Sequence, residues 1–199
     1  MYIVGFNGPP QSGKDTLAQM LAEHMDQQGI TSPVFLTSLS MPLREIAYCM
    51  VGVVGKQLEG EDYELFKKTL FSKPFMRLGR QILIDISEKF VVPTYGPDAM
   101  VQLLLRNYEM LRDTNAVLLI RDCGFQRELN PLIDAVGPDN LVLIRVERPY
   151  TDFGNDSREW VVNPLGRTWE IDNNQDLDHL RTEAGRIYGR LVNQCGWKL

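Results

Sequence analysis

The chain has 199 residues, a net charge of −5, 44% hydrophobic and 24% charged residues. That length and apolar content suit one folded domain with a full core and exclude a disordered chain. No apolar run approaches the roughly 18–20 residues of a bilayer span, and the acidic balance weakly opposes non-specific binding to long nucleic acid. Cys49, Cys123 and Cys195 are odd in number and widely spaced, and His24 and His179 lie far apart. Neither a zinc site nor a disulfide framework is expected, and a reducing cytosol fits best.

Tyr2 to Phe6 reads as a first strand running straight into a Gly/Pro turn, so a secretory signal is not expected. Leu17, Met20, Leu21, His24 and Met25 then mark one face of a helix, with Gly29 placed to end it. Pro33 to Leu36 is a short buried-strand candidate, and Leu43, Ile46, Ala47, Met50 and Val51 give a second helical stripe. Residues 55 to 110 carry no convincing strand apart from Phe90-Val91-Val92, while Phe75–Ile86 and Ala99–Leu111 look helical.

Sheet patterning returns at Ala116–Ile120 and Leu141–Val146, uniform apolar runs of the kind covered on both faces. Arg148 to Arg167 is polar and broken by Pro149, Gly154, Pro164 and Gly166, which reads as a loop or mobile flap. Trp169-Glu170-Ile171 suits a last short strand. Asn173 and Asn174 lead into a final helix faced by Leu177, Leu180, Ala184, Ile187, Tyr188 and Leu191. The alternation of strands and helices predicts βαβ units on a parallel sheet.

The sharpest motif is Gly8-Pro9-Pro10-Gln11-Ser12-Gly13-Lys14-Asp15-Thr16, between the first strand and the first helix. In that context Gly8 and Gly13 let backbone N–H groups turn inward on phosphate oxygens. The helix N-terminus adds partial positive charge, and Lys14 supplies an ammonium for β- and γ-phosphates. Gln11, Ser12 and Thr16 complete the cradle. The general pattern has Ser or Thr directly after the lysine; here Asp15 stands there. Its carboxylate can meet Mg²⁺ directly or through water, and it also suits a first helical turn.

The Ser12-Gly13-Lys14-Asp15-Thr16 loop resembles that of the bacteriophage deoxynucleoside monophosphate kinases, a branch of the P-loop kinases. Met41-Pro42-Leu43-Arg44, Phe75-Met76-Arg77-Leu78-Gly79-Arg80, Ile120–Phe125 with Glu128, Arg145–Pro149 and Glu170–Leu180 are similar to further segments of that family. Met76 stands where the family has glutamine, and Gly124 where an arginine follows the strand-end aspartate. Asp98-Ala99 lies near the position of an aromatic pair in several members.

The resemblance implies an α/β, three-layer P-loop NTPase fold with a parallel sheet of about five strands. The core would take residues 1–54 and 112–199, a helical acceptor-binding insertion about 55–111, and a lid about 148–168. It implies transfer of the γ-phosphoryl group of ATP to a (deoxy)nucleoside monophosphate with Mg²⁺, in the cytoplasm (the host's, if phage-encoded). The implied catalytic set is Lys14, Asp15, Asp122, Arg80 and Arg158, with Asp15, Thr16 and Asp122 toward Mg²⁺.

Arg44, Phe75, Met76, Arg77 and Arg80 would border the acceptor, Arg77 and Arg80 sharing a helix face at i, i+3. Arg158 and then Arg148 are the lid residues. Asp122 serves Mg²⁺ or the acceptor phosphate, or is a strand-end turn residue. Glu128 is equally a solvated helix carboxylate. Phe90 and Tyr95 are further candidates for a base pocket. Two other functions stay open: phosphorylation of a hydroxymethylated pyrimidine within DNA, and nucleotide binding without catalysis. A homodimer, and the base and sugar accepted, are left open by the sequence.

Overall fold

Strand β1 (Tyr2–Asn7) is buried at all but its first residue, so both of its faces need cover. The computed structural model describes residues 1–53, 55, 58–154 and 156–199. Val54, the expected end of the first core segment, and Asn155, inside the expected lid, lie outside the described residues. The chain forms two compact units, one of Met1–Leu39 with Leu104–Leu199 and one of Ser40–Leu103.

In the first unit, β1 leads through the Gly-rich loop into α1 (Lys14–Gln27), and β2 (Val34–Thr37) follows. A second unit intervenes, and the chain returns through β5 (Val117–Ile120), α7 (Leu129–Val136), β6 (Leu141–Glu147), β7 (Arg167–Asp172) and α8 (Leu177–Asn193). The five strands are all parallel in the order β2-β5-β1-β6-β7. Val4, Phe6, Val117, Leu119, Ile144 and Ile171 join Leu17, Leu21, Leu180 and Ile187 of α1 and α8 in one buried cluster. The two-residue alternation of strands sends Ile3, Leu118 and Leu143 to the opposite face, where α7 lies against β1 and β6. Helices on both faces of a parallel sheet make the expected three-layer α/β fold. β1 sits between β5 and β6, so chain connections depart to both sides of it, and ligands of open α/β sheets bind at the carboxyl end of such a strand.

The second unit contains α2 (Met41–Val51), α3 (Gly60–Lys68), an antiparallel pair of β3 (Leu70–Phe71) with β4 (Arg77–Leu78), α4 (Gly79–Ile86), a π-helical turn over Ser87–Val91 and α5 (Val92–Tyr95). α6 (Ala99–Asn107) begins in this unit and ends in the first. Leu43, Ala47, Tyr48, Phe66, Ile82, Ile86, Val91 and Ala99 are its core, with the rings of Tyr48 and Phe66 edge to face at 4.9 Å.

Three expectations need correction. Phe90-Val91-Val92 is helical, with Val91 turned into the core and Phe90 left exposed. The helix expected over Phe75–Ile86 starts at Gly79, because Met76 holds φ +46 and residues 77–78 pair with β3. Arg77 therefore lies on a strand and shares no helix face with Arg80. The sequence reading also missed α7, a helix of only eight residues.

Gly79 has a packing reason beside the family resemblance. A Cβ there would sit inside contact distance of the Phe66 carbonyl oxygen and 2.9 Å from its carbon, where α3 and α4 cross closely. Its N–H donates to Thr69 O at 3.0 Å. We expect Gly79→Ala to force these helices apart and to lower stability by about 1–3 kcal/mol. Urea unfolding checks this, and an unchanged midpoint would contradict it.

Candidate active site

The loop from Gly8 to Gly13 turns tightly, Ser12 N donating to Pro9 O at 3.2 Å. A Cβ at Gly8 would lie 2.6 Å from Val146 O and 2.7 Å from Ser12 Oγ, so only glycine fits beside β6. Gly13 takes φ +93 and abuts Asn173, whose Nδ2 donates to Ser12 O at 2.8 Å. Gln11, a non-glycine at φ +66, carries its strain where Arg148 Nη1 donates to its carbonyl oxygen at 3.3 Å. No side chain caps α1, whose first-turn N–H groups lack intrahelical acceptors.

Two polar groups are buried here without the partners burial demands. Lys14 is 6% exposed, its ammonium donates to Pro9 O at 3.3 Å, and among the described residues no carboxylate pairs with it. Ser12 Oγ is buried and, among the described residues, has no hydrogen-bond partner. An uncompensated buried ammonium is costly. The adjoining cleft, about 340 Å³, is lined by Gln11, Gly13, Lys14, Asp15, Thr16 and Arg148. Lys14 and Arg148 bring two cations to this cleft and Asp15 one carboxylate.

At the carboxyl end of the sheet, Asp122 follows β5 and joins it to the end of β2. Its Oδ1 accepts from Leu39 N at 2.6 Å and its Oδ2 from Ser38 Oγ at 2.8 Å. Asn7, the last residue of β1, binds the expected lid: its Nδ2 donates to Cys123 O at 2.8 Å and Glu159 O at 2.9 Å, and its Oδ1 accepts from Val161 N at 3.1 Å. Gln126 adds a reciprocal amide pair with the Val162 backbone. The segment from Glu159 to Val162 is thus tied to the sheet. The described part of 148–166 holds no helix or strand, and β7 starts at Arg167.

Arg158 lies against the core. Its Nε and Nη2 meet the two oxygens of Asp156 at 2.9 and 2.6 Å. A Cβ at Gly124 would lie 2.5 Å from Arg158 Cγ and Cδ. The glycine that departs from the family pattern therefore makes room for the stem of Arg158. The Asp156 hydrogen bonds, chiefly, hold the guanidinium's pKa above its ordinary value. Burial, first, and then the nearby Arg158 push the Lys14 ammonium down, against the pull of Asp15, Asp122 and Asp156. These five groups form one electrostatic cluster.

The acceptor candidates belong to the second unit. Arg44 Nη2 donates to Ser40 Oγ at 3.0 Å while its guanidinium stacks 3.9 Å from the Tyr63 ring centre. Arg77 Nε lies 3.5 Å from Asp85, which also takes Lys89 at 2.7 Å. Arg80 is exposed on α4, and Phe75 and Met76 stand in the turn before β4. Phe90 and Tyr95 are exposed and meet edge to face, ring centres 6.0 Å apart.

Sequence reasoning missed Asn7, Asp156 and the clamp made by Asn173. The available signals were a polar residue closing an apolar strand, an Asp-x-Arg spacing in the flap, and Asn at the end of the last strand.

Among the described residues no cluster of three His, Cys, Asp or Glu could hold a metal alone. Mg²⁺ beside nucleotides takes one or two carboxylates and completes its shell with phosphates and water. Asp15 and Thr16 on the cleft wall, one carboxylate and one hydroxyl, fit that donor set.

Glu128 is 8% exposed and caps the turn after Asp122, its Oε2 accepting from Gly124 N at 2.9 Å and Phe125 N at 3.0 Å. It is not a solvated helix carboxylate. Burial, and then Asp122, raise its pKa from 4.5 to about 7, over the opposing pull of the two N–H donors. Between those values the folded chain keeps a proton that the unfolded chain has lost. Its contribution is full below pH 4.5 and is lost as pH rises to about 7, a change on the order of 3 kcal/mol. Wild type should lose that much relative to Glu128→Gln across this window in unfolding titrations. A pH-independent difference would contradict the assignment.

Comparison with protein-family models and with curated proteins finds no match. Among solved structures the chain is similar to a gluconokinase from Sinorhizobium meliloti 1021, at 13% identity and TM-score 0.46, over 97% of both chains. It is likewise similar to the dephospho-CoA kinase from Campylobacter jejuni, at 11% identity and TM-score 0.44, over 96% of this chain and 98% of that one.

Proposed function

We propose that the protein is an ATP-dependent phosphotransferase that moves the γ-phosphoryl group to a (deoxy)nucleoside monophosphate. The observation that carries this reading is that, among the described residues, the buried Lys14 ammonium has no carboxylate partner and the buried Ser12 hydroxyl no hydrogen-bond partner, both in the Gly8–Thr16 loop. A triphosphate tail supplies the missing countercharge, and the first-turn N–H groups of α1 supply donors.

Phosphoryl transfer asks the protein mainly to hold donor and acceptor in line and to neutralise spreading charge. Lys14 and the loop amides hold the donor tail, and Arg148 closes one wall of the cleft. Arg158 adds positive charge on the side of Asp122. Asp15, with Thr16 and Asp122, would hold Mg²⁺, which supplies charge neutralisation on the phosphate oxygens. Arg44, Arg77 and Arg80 are proposed for the acceptor phosphate because a guanidinium fork binds phosphate at two points. The likeness of the Phe75–Arg80 segment to the phage kinases supports a nucleotide acceptor. No helix of the described residues is long and apolar enough to cross a membrane.

Incubation with γ-labelled ATP, Mg²⁺ and a panel of monophosphates tests the reading. Label should appear in a diphosphate. Label in hydroxymethylated DNA instead would move the acceptor to DNA, and triphosphate binding without transfer would make the chain a nucleotide-binding protein only.

Lys14→Ala should lower turnover by at least about a thousandfold while circular dichroism shows an intact fold. Wild-type turnover in that variant would refute the role. Arg80→Ala should raise the acceptor KM or lower kcat by about tenfold with ATP binding little changed. An unaltered acceptor dependence would remove Arg80 from the site.

A further inference from the structure

We infer that Asp156 is a positioning residue, aiming the Arg158 guanidinium at the terminal phosphate of a triphosphate held on the Gly8–Thr16 loop. This rests on the phosphate-loop reading above. An Asp and an Arg two residues apart in a polar loop ordinarily form a solvated pair of little consequence. Here the Asp156 side chain is 7% exposed and that of Arg158 only 26%. Asp156 Oδ1 accepts from both Arg158 Nε and the Arg158 backbone N–H, at 2.9 and 3.1 Å, while Oδ2 takes Nη2 at 2.6 Å. Backbone and guanidinium are fixed by one carboxylate.

Two further restraints act on the same side chain. Its aliphatic stem fills the space above Gly124, and the next residue is tied down twice, Glu159 N donating to Gly124 O at 2.9 Å and Glu159 O accepting from Asn7. The fork spends Nε and Nη2 on Asp156. Among the described residues Nη1 has no partner, so one edge of the guanidinium remains to donate. Through Glu159 the backbone beside the cation is joined to Asn7, the residue that directly precedes the loop, and the cation acts through space on Lys14. A group held on three sides is preorganised for an incoming oxyanion, with little reorganisation needed when it binds. The contrasting role for Asp156 is a latch that withholds Arg158 and must be displaced by phosphate. It makes the opposite prediction.

Calorimetric titration with Mg²⁺·ATP and with Mg²⁺·ADP separates these. Asp156→Asn should lower the ratio of ATP to ADP affinity by about tenfold, Arg158→Ala should do the same, and the double variant should lose no more than either. ADP affinity and circular dichroism serve as the control for folding, since mere loosening of the loop would weaken both nucleotides alike. An unchanged ratio in Asp156→Asn overturns the proposal, and a raised ratio replaces it with the latch. Wild type that binds neither nucleotide overturns the phosphate-loop reading together with this one. Wild type that binds triphosphate but transfers nothing overturns only the enzyme assignment, and the affinity ratio still decides the role of Asp156.

Discussion

The buried Lys14 ammonium, which has no carboxylate partner among the described residues, is the constraint around which the first unit is arranged. Burial lowers the pKa of the Lys14 ammonium, and the carboxylates around it, at residues 15, 122 and 156, act through space without pairing with it. Such a group is tolerated when the fold that buries it serves something else. A polyphosphate on the proposed site would bring negative oxygens toward that ammonium and offset the cost of burying it. Asn173 and Arg148 donate to the loop carbonyls at Ser12 and Gln11 and so restrain the loop from two distant points in the sequence. The packing of β7, α8 and the end of β6 is therefore coupled directly to the shape of the binding loop.

The segment expected to form a lid is the second place where packing matters. Sequence composition alone suggests a loop or mobile flap. In the structure its second half is knitted to the sheet by Asn7 and Gln126, and the stem of Arg158 packs against Gly124. Gly124 is what permits this, because any larger residue after Cys123 would collide with the arginine stem. A charge delivered by a closing motion and a charge kept in place differ in cost. The first spends binding energy on closure, whereas the second is assembled during folding.

Much of the first unit was legible in the sequence because its signals are local. Uniform apolar runs gave β5 and β6, and helical stripes gave α1 and α8 within a few residues of their observed ends. The tight turn of the Gly8–Gly13 loop was legible because glycine spacing reports backbone geometry directly. The second unit was harder to read. Its hairpin is two residues per strand, and Phe90-Val91-Val92 has strand composition but a helical backbone set by the burial of Val91. Arg77 followed helical spacing from Arg80 although a turn at Met76 separates them. Asn7, Asp156 and Asn173 were missed for a different reason. Their importance comes from partners more than 100 residues away or from burial, and neither leaves a local pattern.

Whether the Gly8–Thr16 loop grips a polyphosphate is tested most directly by calorimetric titration of the wild-type protein with Mg²⁺·ATP and, separately, with adenosine. The triphosphate should bind at least about a hundredfold tighter than the nucleoside. Equal affinity for the two, or no heat with either, would contradict it.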